Sequence, residues 1–181
     1  MNDQLPSKKK ALKLLFQSGC SYKVVEHCKA VAKVATEVAE ACKKKGLDVD
    51  VKLVEIGALL HDVGRSKTHS VHHAIIGAEI AKSLKLPNAV IAIIERHVGG
   101  GVTTEEAKKL GWPIKDYSPQ TLEEKIVSYA DKLIEGSKRV PIERTIERFS
   151  RLPQSSIDGM KRLHEEFSSL IGDLDAQCDT A

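Results

Sequence analysis

Apolar positions recur along this chain at the three- and four-residue spacing of α-helices. One stripe, in the segment that Ser21 opens and Gly46 ends, consists of Val24, Cys28, Val31, Ala35, Val38 and Cys42. The segment that follows Asp50 is apolar nearly all round up to Leu60, as expected of a helix at the centre of a domain. Ser21 and Asp50 are residue types that cap the start of a helix, and glycine commonly ends one.

Other segments carry the same helical signals. Further helices are predicted from Ser7 to Gln17, from Ser70, from Pro87 to His97, from Thr103, from Thr121 through Ile134, from Pro141 to Arg151 and from Ser155 to about Leu174. The stretch 110–120 contains Trp112 and Pro113, and we expect it to be an ordered loop over the functional site. These patterns predict an all-α fold.

Composition also favours helices, because aromatic residues are only 4% of the chain. The 181 residues suffice for one well-buried core. We therefore expect a single domain over 1–181, with a metal-binding core over 20–140 and a helical extension over 141–181. That extension carries no ligand pattern, and we expect it to pack on the core or to join subunits in a homo-oligomer.

Charge and cysteine usage narrow the functional classes. The formal net charge is only +3, with acids and bases interspersed, which argues against extended nucleic acid as a partner. The four cysteines are too widely spaced in the sequence to bind a metal ion as a pair or to form a redox disulfide, as is typical of proteins in a reducing compartment. No apolar run approaches the roughly 18 residues of a membrane span, and the first residues do not resemble a signal peptide. We expect a soluble, cytoplasmic protein without membrane association.

Six side chains of metal-binding type fall near helix ends or on one helix face, namely His27, His61, Asp62, His73, His97 and Asp131. His73 shares a face with Ile76 and Ile80, whereas its neighbour His72 points the other way, so His73 is the preferred ligand. Each group alone also admits a structural role, such as a cation at a helix end or a surface ion pair. Six of them beside apolar faces favour two divalent metal ions. Imidazole and carboxylate ligands without sulfur favour Mn, Fe, Co or Ni over Zn, and Mg is also compatible.

These residues resemble the HD-domain metal-dependent phosphohydrolases, in the subset whose central motif reads His-Asp-Ile-Gly. Here the motif is His61-Asp62-Val63-Gly64, within a resemblance that spans about Tyr22 to Val140. The segment from His73 to Ala78, and His97, are similar to the two-metal members, such as the symmetrical dinucleoside tetraphosphate hydrolases. After His97 come Val98 and three glycines, where the branch specific for cyclic dinucleotides has Gly-Tyr-Pro.

The resemblance implies a helical bundle of the HD-domain type with two additional C-terminal helices. It also implies two metal sites that share one aspartate. His27, His61, Asp62 and Asp131 would hold the first metal, and Asp62, His73 and His97 the second.

Such a centre suits phosphate chemistry. Two divalent ions, two carboxylates and one hydroxide give a charge of about +1, which attracts phosphate. A water that bridges two metals roughly 3.5 to 4 Å apart loses its proton near neutral pH and is held for in-line attack. Arg65 and Lys132 adjoin the ligands in sequence and are the preferred contacts to substrate phosphate, with a solvated surface role as the alternative for each. The sequence predicts a phosphohydrolase that cleaves a nucleotide or related phosphoester.

Two other functions are compatible with the same residues. The family resemblance also implies oxygenases, in which the six-ligand cage holds a mixed-valent di-iron centre. A non-catalytic module could bind a nucleotide and use its terminal helices to engage a partner, but such a module need not retain the intact ligand set.

Overall fold

The computed structural model of the protein describes residues 4–150 and 153–172. The helices within those residues are α1 (Lys8–Ser18), α2 (Tyr22–Lys44), α3 (Val51–Leu60), α4 (His73–Ser83), α5 (Asn88–Arg96), α6 (Thr104–Leu110), α7 (Leu122–Lys132), α8 (Ile142–Arg148) and α9 (Gln154–Ile171). A 3₁₀ turn over Val63–Ser66 and a hairpin of β1 (Ile134–Glu135) and β2 (Lys138–Arg139) complete the fold. The all-α prediction is confirmed. The predicted helix ends at Arg151 and Leu174 lie outside the described residues, as does Cys178.

Helix α3 lies at the centre of the bundle, between α2, α5, α7 and α1. Its residues from Ile56 to Leu60 are buried, which agrees with the segment being apolar nearly all round. The apolar stripe of α2 is buried against this core, and Cys28 is a buried free thiol within it. Because α3 is surrounded by other helices, the chain that leaves its C-terminal end starts in the interior of the protein.

Five of the predicted helix starts rest on side-chain caps, whereas α5, α8 and α9 have no capping side chain and α4 begins at His73 rather than at Ser70 as predicted. Ser7, Ser21, Asp50 and Thr121 each accept a hydrogen bond from a backbone amide in the first turn, and Thr103 forms a complete capping box with Glu106. A cap of this kind stabilises a helix by about 1 kcal/mol. Local chemistry therefore sets where most of these helices begin.

Helix α7 is shorter than predicted, because it ends at Lys132 and Ile134 lies in β1 instead. Gly136 and Ser137 form the two-residue turn of the hairpin, with Gly136 at φ +63°. A glycine in the left-handed region suits this kind of tight turn. The Gly-Ser pair was a local signal for the hairpin, but the apolar period of α7 continues through Ile134 and predicts helix there.

The C-terminal helices belong to the same bundle as the core. Helix α9 packs against α7, α2 and α8, and its Met160 and Phe167 are fully buried. Phe167 stacks on Tyr129 of α7 with ring centroids 5.1 Å apart. None of the helices described is both long and apolar enough to cross a membrane.

We expect Gly64→Ala to destabilise the protein, since the turn after α3 lies directly against α4. A Cβ at Gly64 would overlap the His73 carbonyl oxygen and lie 2.7 Å from the Gly77 amide nitrogen. Backbone cannot yield as a flexible side chain does, so we expect a loss of about 3 kcal/mol in the free energy of unfolding, measured by urea denaturation. Gly46→Ala is the matched control. Gly46, unlike Gly64, is in the left-handed region, at φ +86°, but it has open space around it, so its cost should be only about 1 kcal/mol. Equal losses would refute the steric argument.

Candidate metal centre

The structure brings six side chains from five helices and their ends into one cluster, namely His27, His61, Asp62, His73, His97 and Asp131. The two carboxylate oxygens of Asp62 face different members of this cluster. Asp62 Oδ2 lies 3.8 Å from Nε2 of both His27 and His61. Asp62 Oδ1 lies 3.1 Å from His73 Nε2 and 3.5 Å from His97 Nε2. Asp62 is therefore shared between two groups of imidazoles.

Asp131 completes the first of these groups. Its Oδ1 lies 3.0 Å from His27 Nε2 and 3.5 Å from His61 Nε2. In the second group, Nε2 of His73 and Nε2 of His97 are 3.0 Å apart. The donor atoms of His27, His61 and Asp131 are close enough together to hold one metal ion, and so are those of His61, Asp62 and His97.

All four imidazoles use their other nitrogen to contact a backbone carbonyl. His61 Nδ1 lies 2.7 Å from the Ala58 oxygen, and His27 Nδ1 lies 2.8 Å from the Gly136 oxygen. His73 and His97 make the same contact, at 2.7 Å, with the carbonyl three residues earlier in the chain. A carbonyl oxygen can only accept, so each Nδ1 carries a proton and donates it. Every neutral ring then directs the lone pair of Nε2 into the cluster, the arrangement typical of metal-binding histidines.

The cluster contains buried polar atoms that lack hydrogen-bond partners, His61 Nε2 and Asp62 Oδ1. His61 is fully buried, and Asp62 is only 5% exposed. Leaving such atoms unsatisfied costs about 1 to 3 kcal/mol each. Two lone pairs at 3.0 Å, as for His73 and His97, also repel unless a proton or another cation lies between them. The donor set therefore fits divalent cations, and no other residue type is needed to complete it.

Electrostatics keep the two aspartates ionised. Burial by itself would raise the pKa of Asp62, but His61, His73 and His97 hold it well below its usual range. Burial also opposes ionisation of Asp131, whose neighbour Lys132 does most to hold the pKa of that carboxyl well below its usual range. Both groups are therefore carboxylates at neutral pH.

The histidines respond to this environment in opposite ways. Burial, reinforced by His61 and His73, lowers the pKa of His97 to about 4, although its contact with Asp62 opposes the shift. For His27, burial favours the neutral ring, but the Asp131 and Asp62 carboxylates and the Gly136 carbonyl together outweigh burial and raise the pKa. His97 is thus neutral at pH 7 and available as a ligand, whereas at His27 a proton competes with a metal ion for Nε2.

We expect the metal-free protein to lose stability between pH 7 and pH 5. The pKa of His97 is about 4 when folded and 6.5 ordinarily, so its contribution is complete above pH 6.5 and lost as the pH falls towards 4. At pH 5 the loss is about 2 kcal/mol in the free energy of unfolding. Urea denaturation in the presence of a chelator measures it, with His97→Gln as the comparison. An unchanged pH dependence in that variant would contradict the assignment to His97.

Two basic side chains adjoin the cluster and also position its carboxylates. Arg65 donates from Nε to Asp62 Oδ2 at 3.0 Å and from Nη1 to the His69 carbonyl at 2.9 Å. Lys132 is 5% exposed, pairs with Asp131 and donates to the His97 carbonyl at 3.3 Å. Arg96 is directed elsewhere, because it forms two hydrogen bonds with Glu124 at 2.8 and 3.0 Å.

Two cavities open from the cluster. The first, of about 240 Å³, borders His73 and His97, and the second, of about 280 Å³, borders His27 and Asp62. Both are lined by Arg65, His69, Asp131, Lys132 and Phe149. We call them the first lobe and the second lobe of one cleft.

The loop 110–120 does not cover this cleft as expected, since none of its residues lines either lobe. Trp112 and Tyr117 pack instead in a separate apolar cluster with Ala74, Val102 and Ala107. His72 lies beside this cluster, where its Nε2 is 3.1 Å from the Leu110 oxygen. Burying the two aromatic rings there stabilises the loop away from the cleft.

Sequence reasoning missed several residues that border the cluster. Lys23, Arg148 and Phe149 line the cleft, and Gly136 supplies the carbonyl for His27. Arg148 and Phe149 come from the end of α8, in the extension where no ligand pattern was found. A basic residue beside an aromatic one is too common a signal to mark such a site without knowledge of the helix packing.

The loop after His97 is held by close contacts. Ser128 donates to the carbonyls of His97 and Gly99 at 3.3 and 3.1 Å. Gly100 lies so close to Gly159 of α9 that a Cβ on either residue would overlap the other's backbone. Helix α9 thereby fixes the segment that presents His97 to the cluster.

The profile of the HD domain family matches residues 24–136. An uncharacterized protein of Methanocaldococcus jannaschii is 49% identical over 90% of this chain and 97% of its own length. A protein of Picrophilus torridus named tRNA (cytidine(56)-2'-O)-methyltransferase is 40% identical over 94% of this chain, which spans 49% of that relative. Ribonuclease Y of Finegoldia magna is 30% identical over 82% of this chain and 26% of its own length.

The fold is also found among solved structures. The HD domain of the Listeria monocytogenes phosphodiesterase PgpH, solved in complex with cyclic-di-AMP, superposes with a TM-score of 0.50. The match covers 91% of this chain and 98% of that domain at 20% sequence identity. At this identity the likeness shows a shared fold.

Proposed function

This chain belongs to the HD domain family, and we propose that it is a metal-dependent phosphohydrolase that cleaves a nucleotide or related phosphoester. One observation carries the proposal. Four imidazoles with their Nδ1 atoms bonded to carbonyls direct Nε2 towards two carboxylates, one of which is shared by both groups. That donor arrangement suits two divalent ions next to each other.

In this proposal one ion is held by His27, His61, Asp62 and Asp131, and the other by Asp62, His73 and His97. Mn, Fe, Co or Ni suit these ligands better than Zn, and Mg is compatible. When bound, such ions lower the pKa of water and neutralise negative charge on a phosphoryl group.

Two basic side chains of the protein would stabilise the negative charge of a phosphoryl group. Lys132 and Arg65 line both lobes, so a phosphoryl group at the cluster would lie within reach of both. Because Lys132 is buried, its charge is little screened by water and acts strongly on the charge that develops in the transition state. The pairing of Arg65 with Asp62 fixes that carboxylate, so Arg65 would orient a ligand as well as contact the substrate.

The relatives support phosphoester cleavage at a coarse level. A ribonuclease and a phosphodiesterase domain share the family or the fold. Methyltransferase activity is not part of the proposal, because this chain spans only about half the length of the relatives with that name. The similarity to the ribonuclease and to the phosphodiesterase domain favours a nucleotide as the kind of molecule on which the chain acts.

The test is to strip the protein with a chelator, reload it anaerobically with Mn, Co or Ni, and assay bis(p-nitrophenyl) phosphate. We expect hydrolysis that depends on the metal and needs no oxygen. In parallel, the iron-loaded protein is tested for oxygen consumption. Oxygen uptake without phosphoester cleavage under any metal would replace the proposed function by the di-iron oxygenase alternative. Absence of both activities would favour the non-catalytic module.

A further inference from the structure

Resting on the proposed function, we propose that the substrate is a short linear nucleotide phosphodiester with a second phosphate. Its nucleobase would stack on Phe149 in the first lobe, and its second phosphate would bind Lys23 and Arg148 in the second lobe. This assigns a substrate class and three specificity residues to the cleft.

The shape of the cleft indicates a substrate with a group on each side of the reacting phosphorus. The two lobes reach the cluster from different sides, one at His73 and His97 and the other at His27 and Asp62. A phosphate monoester carries one organic group and would occupy one lobe. A diester carries two, so its phosphorus can lie at the cluster while a group extends into each lobe.

The first lobe offers apolar surface beside the cluster. Val71, Val98 and Phe149 line it. The Arg148 guanidinium lies 4.6 Å from the centroid of the Phe149 ring, and Arg148 lines only the second lobe. Phe149 thus borders the first lobe together with two apolar side chains and without Arg148, and an aromatic ring in such a position suits the planar face of a nucleobase.

The second lobe is basic. Lys23 and Arg148 line it, in addition to the Arg65 and Lys132 that both lobes share, so four basic side chains face the two carboxylates of the cluster. Arg148 also contacts Glu135 at 3.2 Å. Glu135 is engaged at 2.7 Å by Arg144 as well, so the one carboxylate is shared between two guanidinium groups and the surplus charge is positive. An anionic group such as a second phosphate fits this lobe.

Phe149 and Arg148 lie outside the segment that the HD family profile matches, which ends at residue 136. The predicted ligands all lie within that segment. The cluster thus lies within the matched segment, and the Phe149 and Arg148 side of the cleft, which would select the substrate, comes from α8 in the extension.

The reaction balances as a hydrolysis. A water oxygen forms a bond to the phosphorus, and the bond from the phosphorus to one nucleoside oxygen breaks. That oxygen leaves with the electron pair and takes up a proton from the water. The products are one alcohol and one phosphate monoester, with no oxidant or further reactant.

The experiment compares matched substrates on the metal-loaded protein. A 5′-phosphorylated diadenylate is assayed against unphosphorylated diadenylate, and bis(p-nitrophenyl) phosphate against p-nitrophenyl phosphate. Binding of both dinucleotides is also measured by calorimetry on metal-free protein, so that the inference has a readout independent of turnover. We expect diesters to be preferred over monoesters, and the phosphorylated dinucleotide to bind about tenfold more tightly than the other.

The variants separate the two lobes. Phe149→Ala should weaken dinucleotide binding about tenfold or more, whereas Phe149→Trp should restore binding. The double variant Lys23→Gln with Arg148→Gln should abolish the preference for the 5′-phosphate. The double variant Lys9→Gln with Lys10→Gln, both exposed on α1, is the charge-matched control and should change neither the dinucleotide affinity nor the preference for the 5′-phosphate.

Three results would overturn the inference while leaving the proposed function intact. The first is hydrolysis of p-nitrophenyl phosphate as fast as that of bis(p-nitrophenyl) phosphate. The second is a dinucleotide affinity that Phe149→Ala leaves unchanged. The third is an affinity for linear oligoadenylates that keeps rising as their length increases from two to ten nucleotides. Lack of hydrolysis with every phosphoester, together with dinucleotide binding that shows the expected variant effects, would overturn the proposed function alone.

Discussion

Replacing Asp62 by Asn is expected to abolish phosphoester hydrolysis, with a fall in kcat of at least roughly a thousandfold. Loss of one electrostatic contact to a transition state typically costs 10²- to 10³-fold, and Asp62 faces both groups of imidazoles. Asn keeps the size of the side chain but removes its charge and one of its two acceptor oxygens. We expect the purified variant to contain less than one metal ion per chain, measured by inductively coupled plasma mass spectrometry beside steady-state kinetics.

Asp48→Asn is the matched control, because Asp48 is exposed and remote from the cleft. It should retain full activity and metal. The Asp62→Asn variant should still fold, since the Asp62 side chain does not cap the 3₁₀ turn that follows it. A folded variant with two metals and undiminished turnover would show that Asp62 does not bridge them.

The neighbouring histidines His72 and His73 give the second test. His73→Ala is expected to lower the metal content from two ions per chain towards one and to reduce kcat/KM about a hundredfold or more. His73 Nε2 lies 3.1 Å from Asp62 Oδ1 and 3.0 Å from His97 Nε2. His72→Ala should keep both ions, because His72 is exposed and contacts Leu110 instead.

The two variants share the residue type removed and differ by one position in the chain. Metal content and activity are measured on both after identical loading. If His72→Ala lost an ion and His73→Ala did not, the second metal group would have to be reassigned. If both variants kept two ions, His73 would be a buried histidine without a ligand role.

Much of the fold could be predicted from local features of the sequence. The stripe of α2, the nearly all-round apolar surface of α3 and the capping residues of α1, α2, α3, α6 and α7 are short-range signals, and each agrees with the structure. The choice of His73 as the inward-facing neighbour of His72 also came from helix phase alone. The end of α7 was missed because an apolar period continues past the residue at which the chain turns into the hairpin.

What the sequence by itself determined is the list of groups that could bind metals and the helix face on which each lies. The family resemblance implies a shared Asp62, but only the tertiary structure decided which imidazoles each of its oxygens faces, that a hairpin carbonyl orients His27, and that Phe149 borders the cleft. The physical reason is the separation along the chain between the residues that determine each feature. Helix propensity, capping and side-chain phase depend on residues a few positions apart. The distance between His27 and Asp131 depends on how α2, α3 and α7 pack, which every buried side chain in the bundle sets together.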